Sequence, residues 1–326
     1  MMRSRLINIA AAVSCAALLA PLGAQAKDTY PSAPIKLIVP YSPGGGVDIV
    51  GRFLANKLDE AFKQTVIVEN KPGASGMIGA GMVARSKPDG LTILLASSGE
   101  ASINPHLYKD MTYDPAKDLA GISLIAKIPN ILSVNPDVPV KNVSELVQYA
   151  KTNKLTFSSS GVGNIQGITG ELFNKVAGVT ILQIPYKGAA PAISDVVAKR
   201  VSMTFQPGAP SLPFIQNKQM KPIAVTSTTP IAAFPDVPPI AQTPGFEDFE
   251  MVNWYGLFAP AGTPAATVQK LNAAVVKILK DPEFVATLER LGAIPSPMTA
   301  EQFTAFRNSE SAKFGKVIKD MGITLN

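Results

Sequence analysis

The sequence predicts an α/β fold with a largely parallel sheet, arranged as two similar lobes. Three observations lead there. Short β-branched runs alternate with amphipathic stretches. That rhythm occurs twice, on either side of a long extended segment. Each series sets a glycine-rich turn between its first strand and the helix that follows.

In the first series, Ile35-Lys36-Leu37-Ile38-Val39 reads as a buried strand and residues 47–62 as a helix. Residues 65–68 form the next strand, 79–86 a short helix and 91–95 a third strand. Residues 125–134 then read as one extended segment. The second series opens at Asn142-Val143-Ser144-Glu145, a capping-box pattern that starts a helix through Lys151. Strands follow at 155–158, 180–184, 201–205 and 222–226, with helices at 166–176 and 190–198. A loop holding Pro230, Pro235, Pro238, Pro239 and Pro244 leads to a second extended segment, 249–258. Thr263 as cap, with Pro264 at the first helical position, predicts a helix to residue 280. Thr299 and Gln302 predict a capping box on the last helix.

The first turn is Pro43-Gly44-Gly45-Gly46 and the second Ser158-Ser159-Ser160-Gly161-Val162-Gly163. A strand-to-helix turn of this kind frees backbone N–H groups at the positive end of a helix dipole, which makes an anion site. Two such turns point to one ligand gripped from both sides. Gly161, Gly163 and Gly167 are spaced one residue too long for a dinucleotide loop, and no acid ends the following strand, so no cofactor is expected. Asp48 at the helix start reads as a cap, because a carboxylate would repel an anion. Ser97 and Ser98 end a strand, and Ser158, Ser159 and Ser160 occupy the equivalent place in the second series; strand ends face the ligand crevice in open α/β sheets. Tyr41 and Tyr186 lean to the pocket. Trp254 reads equally as packing or stacking. Arg52 and Lys71 read as solvated surface.

Residues 1–26 read as a cleavable export signal: Arg3 and Arg5, an uncharged apolar stretch at 6–22, then Ala24-Gln25-Ala26 as a small-x-small site. Processing at Cys15 as a lipoprotein is the disfavoured alternative, since Ala12 stands where Leu is expected. Cys15 is the sole cysteine, so cleavage after Ala26 removes thiol chemistry and disulfides. His106 is the sole histidine and stands in a loop, so a Ser–His triad or multi-His metal centre would rest on it alone. The formal charge of +6 comes from scattered lysines and arginines; with 7% aromatic residues this is no nucleic-acid footprint. No apolar stretch after residue 27 is long enough to span a bilayer.

Four segments carry a family resemblance: Val39-Pro40-Tyr41-Ser42-Pro43-Gly44-Gly45-Gly46-Val47-Asp48, Glu69-Asn70-Lys71-Pro72-Gly73-Ala74, Pro185-Tyr186-Lys187-Gly188, and Trp254-Tyr255-Gly256-Leu257-Phe258-Ala259-Pro260. In this order the chain resembles the Bug, or TctC, receptors of tripartite tricarboxylate transporters. The resemblance implies a type II periplasmic binding protein fold: two α/β domains joined by two extended hinge segments. Lobe one would be residues 27–126 with 252–326, and lobe two 127–251. It implies a periplasmic monomer that takes a small carboxylate between its lobes, without metal or cofactor, and delivers it to membrane permease subunits. The expected ligand contacts are Tyr41, Pro43, Gly44, Gly45, Gly46, Ser97, Ser98, Ser159, Ser160, Gly161, Gly163, Tyr186 and Gln206. The family commonly has a histidine where this chain reads Gln166-Gly167-Ile168, and often an aspartate at Gln206. The loss of that acid predicts a ligand without an amino group, or a more strongly anionic one. A sensor for a signalling partner, a regulator's effector domain and an exported hydrolase are the competing readings.

Overall fold

The computed structural model describes residues 30–161 and 163–322. The export signal, its cleavage site and Cys15 lie outside them. The first series is β1 (Ile35–Val39), α1 (Gly46–Phe62), β2 (Val66–Asn70), α2 (Met77–Ala84) and β3 (Thr92–Ser97). A π-turn at Gly99–Ile103 and two short helices, α3 (Asn104–Leu107) and α4 (Pro115–Asp118), lead into β4 (Leu119–Val134). The second series is α5 (Val143–Thr152), β5 (Thr156–Ser159), α6 (Ile165–Ala177), β6 (Leu182–Pro185), α7 (Ala189–Val197), β7 (Met203–Pro207), α8 (Gly208–Gln216) and β8 (Lys221–Val225). The chain ends in β9 (Val252–Pro260), α9 (Ala265–Ile278), α10 (Pro282–Arg290), β10 (Ile294–Pro295) and α11 (Ala300–Met321).

The sheet runs β2-β1-β3-β9-β4-β7-β5-β6, with β8 and β10 also on β4. The internal repeat is visible in the pairing: β1 lies parallel between β2 and β3, and β5 lies parallel between β6 and β7. The expected parallel sheet therefore holds inside each series. It fails at the junction, where β9 is antiparallel to β3 and β4, and β4 is antiparallel to β7. The 16-residue β4 is shared: residues 119–129 pair with β9, and residues 130–134 pair with β7. The two extended segments are thus neighbouring strands and not independent linkers.

Each series packs its own core. Ile38, Leu94, Trp254, Phe258 and Phe303 belong to the first. Phe157, Phe173, Phe205, Phe246 and Phe249 belong to the second. The long helix α11 enters both, with Phe303 in the first core and Phe314 and Ile318 in the second. A Lys175–Asp320 ion pair at 2.8 Å ties its end to α6.

Several local expectations change. Thr263 does not cap α9: its hydroxyl donates to Pro260 O at 2.8 Å, and Pro264 is the N-cap residue. At α5, Asn142 Oδ1 accepts from Glu145 N–H, but the Glu145 carboxylate returns to Lys141 N–H, one residue upstream of a true box. The Thr299–Gln302 box on α11 is complete. Helix α8 is hidden in the sequence by Pro210 and Pro213, which read as loop. Helix α10 carried a usable signal that the sequence reading passed over: Asp281 accepts from two first-turn N–H groups, with proline at the next position.

Candidate functional site

The loops after β1, β3, β5, β6 and β7 converge on an open cleft of about 640 Å³. From the first series its wall takes Tyr41, Gly45, Gly46, Ser97 and Ser98; from the second it takes Ser160, Gly161, Gly163, Asn164 and Gln166. Asn253 and Tyr255 of β9 complete it. Among the described residues no charged side chain lines the cleft.

The electrostatics come from the backbone. Helices α1, α6, α7 and α8 all start at the wall, through Gly45, Asn164, Gly188 and Pro207. Gly45, Gly188 and Pro207 make no side-chain cap bond, so the first-turn N–H groups behind them take no acceptor from the cap residue. At α6, Asn164 Oδ1 takes the Gly167 N–H at 2.9 Å, which leaves the N–H groups of Ile165 and Gln166 for another acceptor. Four positive helix ends around an uncharged cleft favour an anion.

The first turn is held from behind. Asp48 is buried and accepts from Gly44 N–H (2.9 Å), Arg52 Nε (3.0 Å) and Asn70 Nδ2 (2.8 Å). Burial alone would raise its pKa, but the hydrogen bonds from Arg52, Gly44 and Asn70 outweigh it and hold the carboxyl below its ordinary value. Gly46 must stay bare, since a Cβ there would lie 2.9 Å from the Tyr255 hydroxyl. On the opposite side Ser98 donates to Asn253 Oδ1 at 2.8 Å, which fixes the end of β3 against β9.

The expected contacts divide. Tyr41, Gly45, Gly46, Ser97, Ser98, Ser160, Gly161 and Gly163 come together at the wall. Pro43, Gly44, Ser159, Tyr186 and Gln206 do not line it. Gly44 spends its N–H on Asp48. Ser159 is buried between Gly161 O and Gln183 Nε2. Tyr186 donates to Asp195 at 2.6 Å; burial, then that carboxylate, pushes its phenol up to about 12. Gln206 is fully buried behind Ser160, whose hydroxyl donates to it at 3.2 Å. Trp254 is packing, edge-on to Phe303 and Phe306 at 5.9 and 5.6 Å. His106 bonds Ser311 at 3.0 Å and does not line the cleft. Arg52 and Lys71 pair with Asp48 and Glu69. Sequence reasoning missed Asn164, Gln166, Asn253 and Tyr255. Asn164, a good cap residue just before an amphipathic run, was readable; the β9 pair is brought in by sheet order alone.

This architecture is that of a solute-binding receptor. A sequence model described as the tripartite tricarboxylate transporter family receptor, TctC, matches residues 50–323, and the chain belongs to that family. Among solved structures it is similar to the periplasmic binding protein BugD (33% identity, TM-score 0.76, 91% of this chain and 100% of that one). It is also similar to a protein of R. palustris solved with adipate (32%, 0.80, 91% and 100%). A third similar structure is MatC from Rhodopseudomonas palustris with bound malate (27%, 0.74, 89% and 100%). Among the described residues no helix is long and apolar enough to cross a membrane.

Proposed function

We propose that the chain is a periplasmic receptor that captures a small carboxylate in this cleft and delivers it to the permease subunits of a tripartite transporter. One observation carries the reading: four helix N-termini face a cleft that, among the described residues, no charged side chain lines. Each helix end contributes about 0.3–1 kcal/mol toward an anion, and each hydrogen bond to a charged group about 1.5–3 kcal/mol. A micromolar ligand needs about 8 kcal/mol net, which a few such bonds reach. Adipate and malate, held by two similar proteins, are acids of this size.

In this reading residues 27–126 with 252–326 form one lobe and 127–251 the other, β4 and β9 serve as the hinge, and the receptor is a monomer exported by cleavage after Ala26. In this reading the protein is a receptor and not a hydrolase; His106, bonded to Ser311 at 3.0 Å, does not line the cleft with the wall serines. A thermal-shift screen against dicarboxylates, tricarboxylates and aromatic acids tests it. At 100-fold excess over Kd a ligand adds about 2.7 kcal/mol, a rise in Tm of about 4 °C for a chain of this size. No shift with any carboxylate, together with ester hydrolysis that vanishes in Ser98→Ala, would overturn the receptor reading.

A further inference from the structure

Glu100 is fully buried on the π-turn after β3, beneath the cleft wall, and capture of an anion gives it no task. Its Oε2 accepts two bonds from Ser97, from the N–H and from the hydroxyl, both at 2.8 Å. A serine hydroxyl has one proton and two lone pairs. The Ser97 proton goes to Glu100. Its lone pairs take the Gly99 N–H at 3.1 Å and the Tyr41 hydroxyl at 2.9 Å. With its only proton spent, Ser97 cannot donate to Tyr41, so Tyr41 donates to Ser97. The phenol proton then points inward, and the Tyr41 oxygen shows the cleft lone pairs alone. Gly76 seals the far side: a Cβ there would overlap Glu100 Oε1.

We propose that Glu100 is a specificity-determining positioning residue: through Ser97 it fixes Tyr41 as an acceptor, so the cleft prefers a carboxylate that carries a hydroxyl over the same acid without one. This rests on the receptor reading and deepens it. The carboxylate of either acid sits on the helix ends. A hydroxyl beside it supplies the donor that Tyr41 needs. A plain acid leaves that oxygen unpaired, or sets a second carboxylate oxygen against it.

Calorimetric titration of the full chain at pH 8 with two matched pairs, succinate with malate and glutarate with 2-hydroxyglutarate, tests this. Malate and 2-hydroxyglutarate are expected to bind about tenfold tighter than their plain partners. That ratio should fall to about one in Tyr41→Phe and fall in Glu100→Gln. Tyr41→Phe serves where Glu100→Gln fails to fold. Equal binding within each pair, or a preference that survives in Tyr41→Phe, would overturn the inference and leave the receptor reading standing. So would binding of other carboxylates with none of these four. Binding of no carboxylate at all would sink both.

Discussion

Asp48 stands behind the first turn and decides its shape. Three donors converge on one buried carboxylate, and one of them is the Gly44 N–H that the sequence assigned to the ligand. Asp48 is not the helix cap that the sequence predicts: the N–H it accepts, from Gly44, belongs to the turn and not to the first helical residues. Because its pKa is depressed in the folded protein, its stabilisation is complete above the unfolded value near about 3.9 and is lost as pH falls through the lower folded value. Asp48→Asn keeps an acceptor but loses the charge. It should cost about 1–2 kcal/mol at pH 7, and the gap from wild type should narrow as pH is lowered from 7 through the depressed Asp48 pKa. Urea melts of both proteins across that range check it; a gap independent of pH would show that the charge is not what matters.

At the scale of elements, α6 brings its N-terminus to the cleft from the second series, and Asn164 is its cap. Asn164→Ala removes the acceptor of the Gly167 N–H. It should cost about 1 kcal/mol, lower Tm by about 2–4 °C, and weaken carboxylate binding as well, because the freed N–H groups lose their alignment. Unchanged affinity in a titration would detach α6 from the site. Much of this level was legible. The glycine-rich turns announced themselves because a backbone that must approach a ligand closely selects glycine, and the paired βα rhythm followed from periodicity. Strand orientation was not legible: a buried run such as residues 252–260 reads the same whether its neighbour runs parallel or antiparallel. Asn253 and Tyr255 were invisible as site residues for that reason, since only β9 pairing with β3 brings them beside Ser98 and Gly46. Glu100 was overlooked because Ser97-Ser98-Gly99-Glu100 reads as an exposed polar turn, whereas the π-turn folds the carboxyl inward.

At the scale of the whole molecule, the shared strand β4 and the helix α11 set what motion is available. The two series are joined by adjacent strands, β4 and β9, so bending is expected about that pair. Helix α11 spans both cores, with Phe314 and Ile318 seated among the aromatic residues of the second. Its first part is bonded to the proposed lobe one, Arg307 to Pro115 O and Leu119 O and Ser311 to His106, while its end packs on the second core, so it is expected to restrict closure to a modest bend. Small-angle scattering with a saturating carboxylate should show a reduced radius of gyration. An unchanged radius with the site filled would rule out closure and leave a preformed cleft.

Backbone groups at helix ends, and not a fixed countercharge, are expected to hold the ligand's carboxylate. A crystal structure of the chain with its tightest-binding acid tests this most directly. Carboxylate oxygens are expected on the N–H groups of the first turns of α1 and α6, directly or through one water, with Tyr41 and Ser160 beside them. A carboxylate paired with a lysine or arginine, or bound anywhere outside this cleft, would contradict this.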